Sequence, residues 1–115
     1  AAQYAGIAAL DGPDDSINEM MKKFTERRNL IHQGLNDLPG VECSLPGGAF
    51  YAFPNVKGTG MNGSEFCKKA MHEAGVALVP GTAFGQTCED YVRFSFAASS
   101  DNISQALENI KKMLG

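Results

Sequence analysis

The stretch Val76–Ser99, VALVPGTAFGQTCEDYVRFSFAAS, holds two apolar runs separated by a turn-rich loop. The runs, Val76–Val79 and Tyr91–Ala97, have strand length and are rich in valine, phenylalanine and tyrosine, residues that favour β-strands. The loop between them opens with Pro80–Gly81, a pair typical of turns. The pattern therefore predicts two strands joined through this loop.

The second run carries a single charge at its middle, Arg93. Successive side chains of a strand point to opposite faces. Val92, Phe94 and Phe96 are therefore expected on one face, with Arg93 on the other. Three bulky apolar groups would anchor a strand that holds a guanidinium away from the core.

The residues alone leave two interpretations of Arg93 open. In the first it is solvated or pairs with a nearby acid, Glu89 or Asp90, and such surface ion pairs contribute little to stability. In the second it is a fixed carboxylate-binding fork, because a guanidinium is planar, always charged and able to form two parallel hydrogen bonds.

Three motifs in this order carry a family resemblance: LPGGAFYAFPN (Leu45–Asn55), GVALVPGTAFG (Gly75–Gly85) and YVRFSFAAS (Tyr91–Ser99). They resemble the C-terminal part of the class I aminotransferases, which are pyridoxal-phosphate enzymes of fold type I. The prokaryotic-type aspartate aminotransferases are the most similar group. The resemblance extends over essentially the whole chain, from the AQYAGIAAL segment to the ALENIKKML segment.

The resemblance implies specific roles for three residues. Arg93 matches the arginine that binds the α-carboxylate of the amino-acid or 2-oxo-acid substrate. Gly48 and Phe50 are expected beside the active-site cleft, with the phenyl ring forming part of its wall. The group that would select an aspartate side chain lies elsewhere in the family, so aspartate, aromatic and alanine specificity all stay open.

The chemistry of the cofactor is expected outside this chain. The Schiff-base lysine of the family follows a serine, and no lysine in this sequence does. No glycine-rich phosphate loop with a lysine opens a helix either. We therefore expect no catalytic, cofactor-binding or metal-ligating residue here, with pyridoxal phosphate bound by the missing large domain. The isolated fragment should be inactive, whereas the full-length enzyme is expected to be a homodimeric aminotransferase.

Length and charge narrow the function classes. A chain of 115 residues suits one domain, and the resemblance makes residues 1–115 the small C-terminal domain, with 1–13 a helix and linker from the large domain. The formal net charge of −3 argues against a nucleic-acid partner. No apolar run is long enough to cross a membrane. Three widely spaced cysteines fit free thiols and a cytoplasmic location.

The remaining elements predict an α+β fold, a small, mostly antiparallel sheet of three to four strands with helices packed on one face. The second helix should carry a core stripe and begin with a Ser16–Glu19 capping box. By the resemblance, the large domain would cover residues 1–10 and the Met20–Phe24 part of that stripe, which should then be exposed. The predicted helices are Ala1–Leu10, Asp15 or Ser16 to Pro39, Ser64 to Ala74, and a last helix capped by Ser99, Ser100 or Asp101. Further strands are predicted at Val41–Leu45 and Ala49–Phe53.

Two other function classes remain as alternatives. A stand-alone α+β module could bind a small acidic metabolite through the same arginine. A structural or dimerisation domain would have no binding site at all.

Overall fold

The computed structural model describes residues 1–115 and contains four α-helices and a three-stranded antiparallel sheet with strand order β1-β3-β2. It confirms the predicted α+β class. The helices are α1 (Ala2–Asp11), α2 (Asp15–Asn36), α3 (Gly63–Lys69) and α4 (Ser100–Leu114), and the strands are β1 (Tyr51–Ala52), β2 (Val79–Pro80) and β3 (Val92–Ser95).

Strand β3 lies at the centre of the sheet and sets its register. Tyr51 of β1 is opposite Ser95, and Val79 of β2 is opposite Arg93. The alternation predicted for β3 is confirmed, because Val92 and Phe94 are buried while Arg93 is half-buried on the opposite face. The sheet therefore has one face in the core and one that carries the guanidinium.

The core is a single cluster formed by the covered face of the sheet and the helices. Helices α2 and α4 pack against each other and contribute Leu35 and Ile110, both fully buried. Phe66 of α3 and Phe96, just after β3, are the largest fully buried side chains. No polar or charged residue is buried, so no charged side chain is buried against the face of the sheet that packs in the core.

The predicted strand Val41–Leu45 is wrong, since only a single bridge between Glu42 and Asn55 forms there. The reason is competition from a side chain. The Asn36 side chain accepts from the amide of Cys43 and donates to the carbonyl of the same residue, at 3.0 and 2.9 Å. Because those backbone groups are already satisfied, they do not need a neighbouring strand.

The strand predicted over Ala49–Phe53 is shorter than expected and covers only Tyr51–Ala52. Ala49 has a φ of 56° and is the only non-glycine residue with positive φ. This left-handed conformation lies outside the β region, so the extended strand cannot include Ala49. Residues with a side chain adopt the left-handed conformation only at a cost in free energy. The Gly47–Gly48 pair before it thus belongs to a bend that leads into β1.

The predicted start of α2 at Asp15 is confirmed, whereas the caps predicted for α2 and α3 are wrong. Helix α2 begins at Asp15 without a side-chain cap, and Glu19 binds Lys23 at 2.8 Å instead of capping with Ser16. Helix α3 is capped by Asn62 rather than Ser64, through a reciprocal pair with Glu65. In α4, by contrast, the Ser99 hydroxyl accepts from the amide of Asn102, as expected for a capping residue.

Apolar side chains are exposed over the first helix and the start of the second. Helix α1 has no buried residue, and Tyr4 and Leu10 are 82% and 87% exposed. The expected core stripe of α2 is confirmed only at its C-terminal half, because Met20 and Met21 are also exposed. Phe24 is half-buried and packs beside Phe50 and Phe96, so the exposure expected at Met20–Phe24 is found for the two methionines and is wrong for Phe24.

Candidate functional site

The backbone just before β3 is held by three separate segments of the chain. Three consecutive carbonyl groups each accept a hydrogen bond from a different part of the fold. This arrangement fixes the start of the strand and, with it, the position of Arg93. The donors are the amides of Gly63 to Glu89 O (2.7 Å), Val56 to Asp90 O (2.8 Å) and Gly81 to Tyr91 O (2.7 Å).

Two aromatic rings contact the guanidinium of Arg93. Its Cζ lies over the Tyr51 ring at 4.3 Å from the centroid and over the Phe84 ring at 4.8 Å. Tyr51 comes from β1 on one side of β3, and Phe84 from the segment that follows β2 on the other. A cation at such distances is attracted by the electron-rich ring faces.

Arg93 forms no salt bridge and no side-chain hydrogen bond with any other residue of the chain. The acids adjacent in sequence are otherwise placed. Asp90 pairs with Lys57 at 3.3 Å, and Glu89 is exposed without a cationic partner. The ion-pair interpretation of Arg93 therefore does not describe this structure, and its N–H groups are free to bind a ligand.

Phe50 packs against Tyr51, one of the two rings that contact this arginine. The Phe50 ring is 4.5 Å from the Tyr51 ring and 6.1 Å from that of Phe24. Gly48 and Phe50 both line an apolar groove of about 480 Å³. An added Cβ at Gly48 would meet no atom within 4 Å. Within this chain, no close approach of another segment requires a glycine at position 48.

Sequence reasoning missed Tyr51 and Phe84 as neighbours of Arg93. A signal existed for Tyr51, because strand alternation places it on the open face once β1 is aligned antiparallel to β3. Phe84 had no comparable signal, since it lies in a loop whose path depends on the fold. An aromatic row extends beyond these two rings, with Phe53 at 5.8 Å from Phe84 and 5.2 Å from Tyr91.

The cysteines do not form a reactive centre. All three are free, and burial raises the pKa of the Cys43 thiol, an effect partly offset by a backbone hydrogen bond at Phe53. Burial also raises the pKa of Cys67. No group of three or more histidine, cysteine or acidic side chains is placed to hold a metal ion, and none of the helices combines the length and apolar character needed to cross a membrane.

Comparison with known proteins identifies the family. The model of the aminotransferase class I and II family matches residues 1–110. The aspartate aminotransferase of Pyrococcus horikoshii is 41% identical over 114 residues, covering 97% of this chain and 29% of the relative. Aromatic-amino-acid aminotransferase 2 of Thermococcus litoralis is 40% identical over 114 residues, covering 97% of this chain and 29% of the relative.

The fold comparison agrees. The structure of an alanine aminotransferase from Pyrococcus furiosus superposes with a TM-score of 0.93 at 37% identity, covering 98% of this chain and 29% of that one. The chain thus spans less than a third of the length of these relatives. It belongs to the class I and II aminotransferase family and corresponds to the small C-terminal domain of a class I enzyme.

Proposed function

We propose that this chain is the substrate-carboxylate-binding domain of a pyridoxal-phosphate-dependent aminotransferase, and that Arg93 binds the α-carboxylate. The full-length enzyme would transfer an amino group between an amino acid and a 2-oxo acid. The observation that carries the proposal is the state of the guanidinium. It is half-buried on the open face of the central strand, and no acid of the chain is paired with it.

The chemistry of transamination suits such an anchor. Every substrate and product keeps its α-carboxylate, so one rigid group can serve both half-reactions. Two parallel hydrogen bonds fix the carboxylate in the plane of the guanidinium and thereby orient the Cα–H bond from which a proton is removed. A hydrogen bond to a charged group contributes about 1.5–3 kcal/mol.

The lysines of this chain do not fit the cofactor. A lysine that forms an imine is desolvated at its site, yet all seven lysines here except Lys69 are exposed. Lys69 is half-buried and lies 4.0 Å from Glu73. We propose that other parts of the protein bind pyridoxal phosphate, and that this chain supplies the carboxylate anchor and one wall of the cleft, including Phe50.

The exposed apolar surface supports a longer protein. A helix of about ten residues is marginal in water without packing partners, and α1 buries none of its side chains. We propose that the large domain of the aminotransferase covers α1 together with Met20 and Met21, in an enzyme that acts as a homodimer. Closure of this domain over the substrate would then couple binding to exclusion of water.

The test is the Arg93→Lys substitution in the full-length enzyme. Lysine keeps the charge but lacks the planar fork, so we expect kcat/KM for the amino acid to fall by about tenfold or more, with the thermal midpoint unchanged. Arg27→Lys is the matched control. Arg27 also lies over an aromatic ring, with Cζ at 5.7 Å from the Phe24 centroid, and its substitution should leave kcat/KM unaltered.

An unaltered kcat/KM in the Arg93→Lys enzyme would reject the assignment. Two measurements on the isolated chain address the rest of the proposal. Adding pyridoxal phosphate should give no specific imine absorbance. Calorimetric titration with aspartate should show no submillimolar binding, because such affinity would instead support a self-sufficient metabolite-binding module.

A further inference from the structure

We infer that Tyr51 and Phe84, here called the aromatic clamp, are positioning residues that set the plane of the Arg93 guanidinium for carboxylate binding. The inference rests on the proposed function, since it needs Arg93 to be the anchor. The two centroid distances, 4.3 and 4.8 Å, place both rings in direct contact with the cation. The two rings reach it from different elements.

The shape of the guanidinium explains what two rings achieve that one would not. Its hydrogen-bond donors all lie in one plane, and its flat faces stack well on aromatic rings. A ring that stacks on such a face leaves the in-plane edge for the ligand. A carboxylate that binds through two parallel hydrogen bonds must approach in that same plane. The aromatic clamp therefore selects the orientation of the substrate as well as its charge.

The rings also hold the cation without neutralising it. A protein carboxylate in the same place would form a competing ion pair, which the substrate would have to displace. Aromatic faces attract the cation while occupying none of its N–H groups. A guanidinium is also weakly hydrated for a cation, so covering its faces removes little favourable hydration.

Both members of the aromatic clamp are themselves supported by neighbours. The Tyr51 ring packs at 4.5 Å from Phe50, and the Phe84 ring meets Phe53 edge-on at 5.8 Å. The amide of Phe84 also donates to the carbonyl of Gly81 at 2.8 Å. These contacts restrict the rings before any ligand arrives, which is the condition for a preorganised site.

Exposure gives a further argument for a functional role. Tyr51 and Phe84 are 38% and 50% exposed, so both rings keep substantial apolar surface in contact with water. Their packing against the rest of the chain is therefore incomplete, whereas their contact with Arg93 is close. Function at the cation accounts for this placement better than core packing does.

The test uses single substitutions in the full-length enzyme. Tyr51→Leu and Phe84→Leu remove a ring but keep apolar bulk, and we expect each to lower kcat/KM for an amino acid by about fivefold, mainly through a higher KM. Tyr51→Phe keeps the ring and should restore kcat/KM to within twofold of the wild type. Tyr91→Leu is the matched control, because Tyr91 stacks on Phe53 in the same row, whereas the rings over the guanidinium are those of Tyr51 and Phe84.

A second readout separates positioning from a structural role. The rate of the half-reaction with a primary amine that lacks a carboxylate should be unchanged in the leucine variants, because no anion then needs the guanidinium. Equal losses for the amine and the amino acid would overturn the inference. So would leucine variants that match the wild type while Arg93→Lys loses tenfold, and in that case the proposed function would stand. An active Arg93→Lys enzyme would remove both.

Discussion

Replacing Gly81 by alanine should destabilise the chain through a clash with the segment that leads into the central strand. A Cβ at this position would lie 2.1 Å from the Cys88 carbonyl oxygen and 2.8 Å from that of Tyr91. Both are backbone atoms and cannot rotate away as a flexible side chain can. Gly81 is not among the residues with positive φ, so the effect is purely one of space.

The magnitude follows from two contributions. Overpacking in a tight site costs about 1–3 kcal/mol. The cost at Gly81 should lie at the upper end of this range, because the clashing atoms belong to the backbone. Moving the backbone also strains the 2.7 Å hydrogen bond from the Gly81 amide to Tyr91 O, and a lost hydrogen bond costs about 1 kcal/mol. We therefore expect a loss of about 3–4 kcal/mol in the free energy of unfolding, or a fall in Tm of at least about 10 °C for a chain of this size.

Urea unfolding followed by circular dichroism measures this loss, with Gly6→Ala as the control. Gly6 is in exposed α1, and an added Cβ there meets nothing within 4 Å. Alanine should be stabilising by about 0.5–1 kcal/mol at such a helical position. If the free energy of unfolding of Gly81→Ala lies within about 0.5 kcal/mol of the wild-type value, the effect is smaller than this packing allows. The close approach at Gly81 would then not fix the strand, and the reasoning would be refuted.

Three further substitutions test other parts of the structure. Asn109→Ala should lower the free energy of unfolding by about 1 kcal/mol, measured by urea titration. The Asn109 side chain donates to Ala74 O at 3.0 Å and joins α4 to the end of the π-helical turn Ala70–Ala74, which continues α3. An unchanged free energy of unfolding would show that this bond contributes nothing to stability. Ala49→Gly should raise the thermal midpoint slightly. Glycine avoids the cost of about 1–2 kcal/mol that alanine pays in the left-handed conformation, and the greater chain entropy that glycine loses on folding cancels about half of that benefit. A lower thermal midpoint would contradict this prediction. Burial raises the pKa values of the Cys43 and Cys67 thiols above the ordinary 9.0. As the pH rises, these thiols therefore ionise first in the unfolded state. Their contribution to the free energy of unfolding is present below about pH 9 and is lost as the pH rises through the folded-state pKa values. Replacing both by alanine should flatten the decline in stability between about pH 8 and 10, and an equal decline in both proteins would count against it.

The fold class and the orientation of Arg93 could be predicted because both depend on short-range patterns. Alternating apolar residues from Val92 to Phe96 determine which side chains face the core, and no distant contact is needed to read that alternation. The start of α4 was predictable for the same reason, with Ser99 one of three adjacent capping candidates. The Ser99 side chain bonds a backbone amide only three residues away.

The strand lengths were not predictable, because they depend on competition between nearby groups. The composition of Val41–Leu45 favours a strand, yet Asn36 satisfies the backbone of Cys43 from the end of α2. The aromatic clamp as a pair was likewise not predictable, although strand alternation gave a signal for Tyr51. Tyr51 and Phe84 meet at Arg93 only after β1 and β2 pair with opposite edges of β3, and local periodicity carries no information about such pairing.

The negative net charge of the chain does not oppose the binding of an anion at Arg93. The formal charge is −3, but exposed charges separated by more than about 8 Å are largely screened at physiological ionic strength, and the chain measures 51 × 29 × 24 Å along its principal axes. Only the nearest groups therefore matter. Asp90 is already paired with Lys57 at 3.3 Å, so the acid closest to Arg93 in sequence has a cation of its own. Because two rings contact the guanidinium and no protein acid is paired with it, an arriving carboxylate meets a cation that it need not take from another partner.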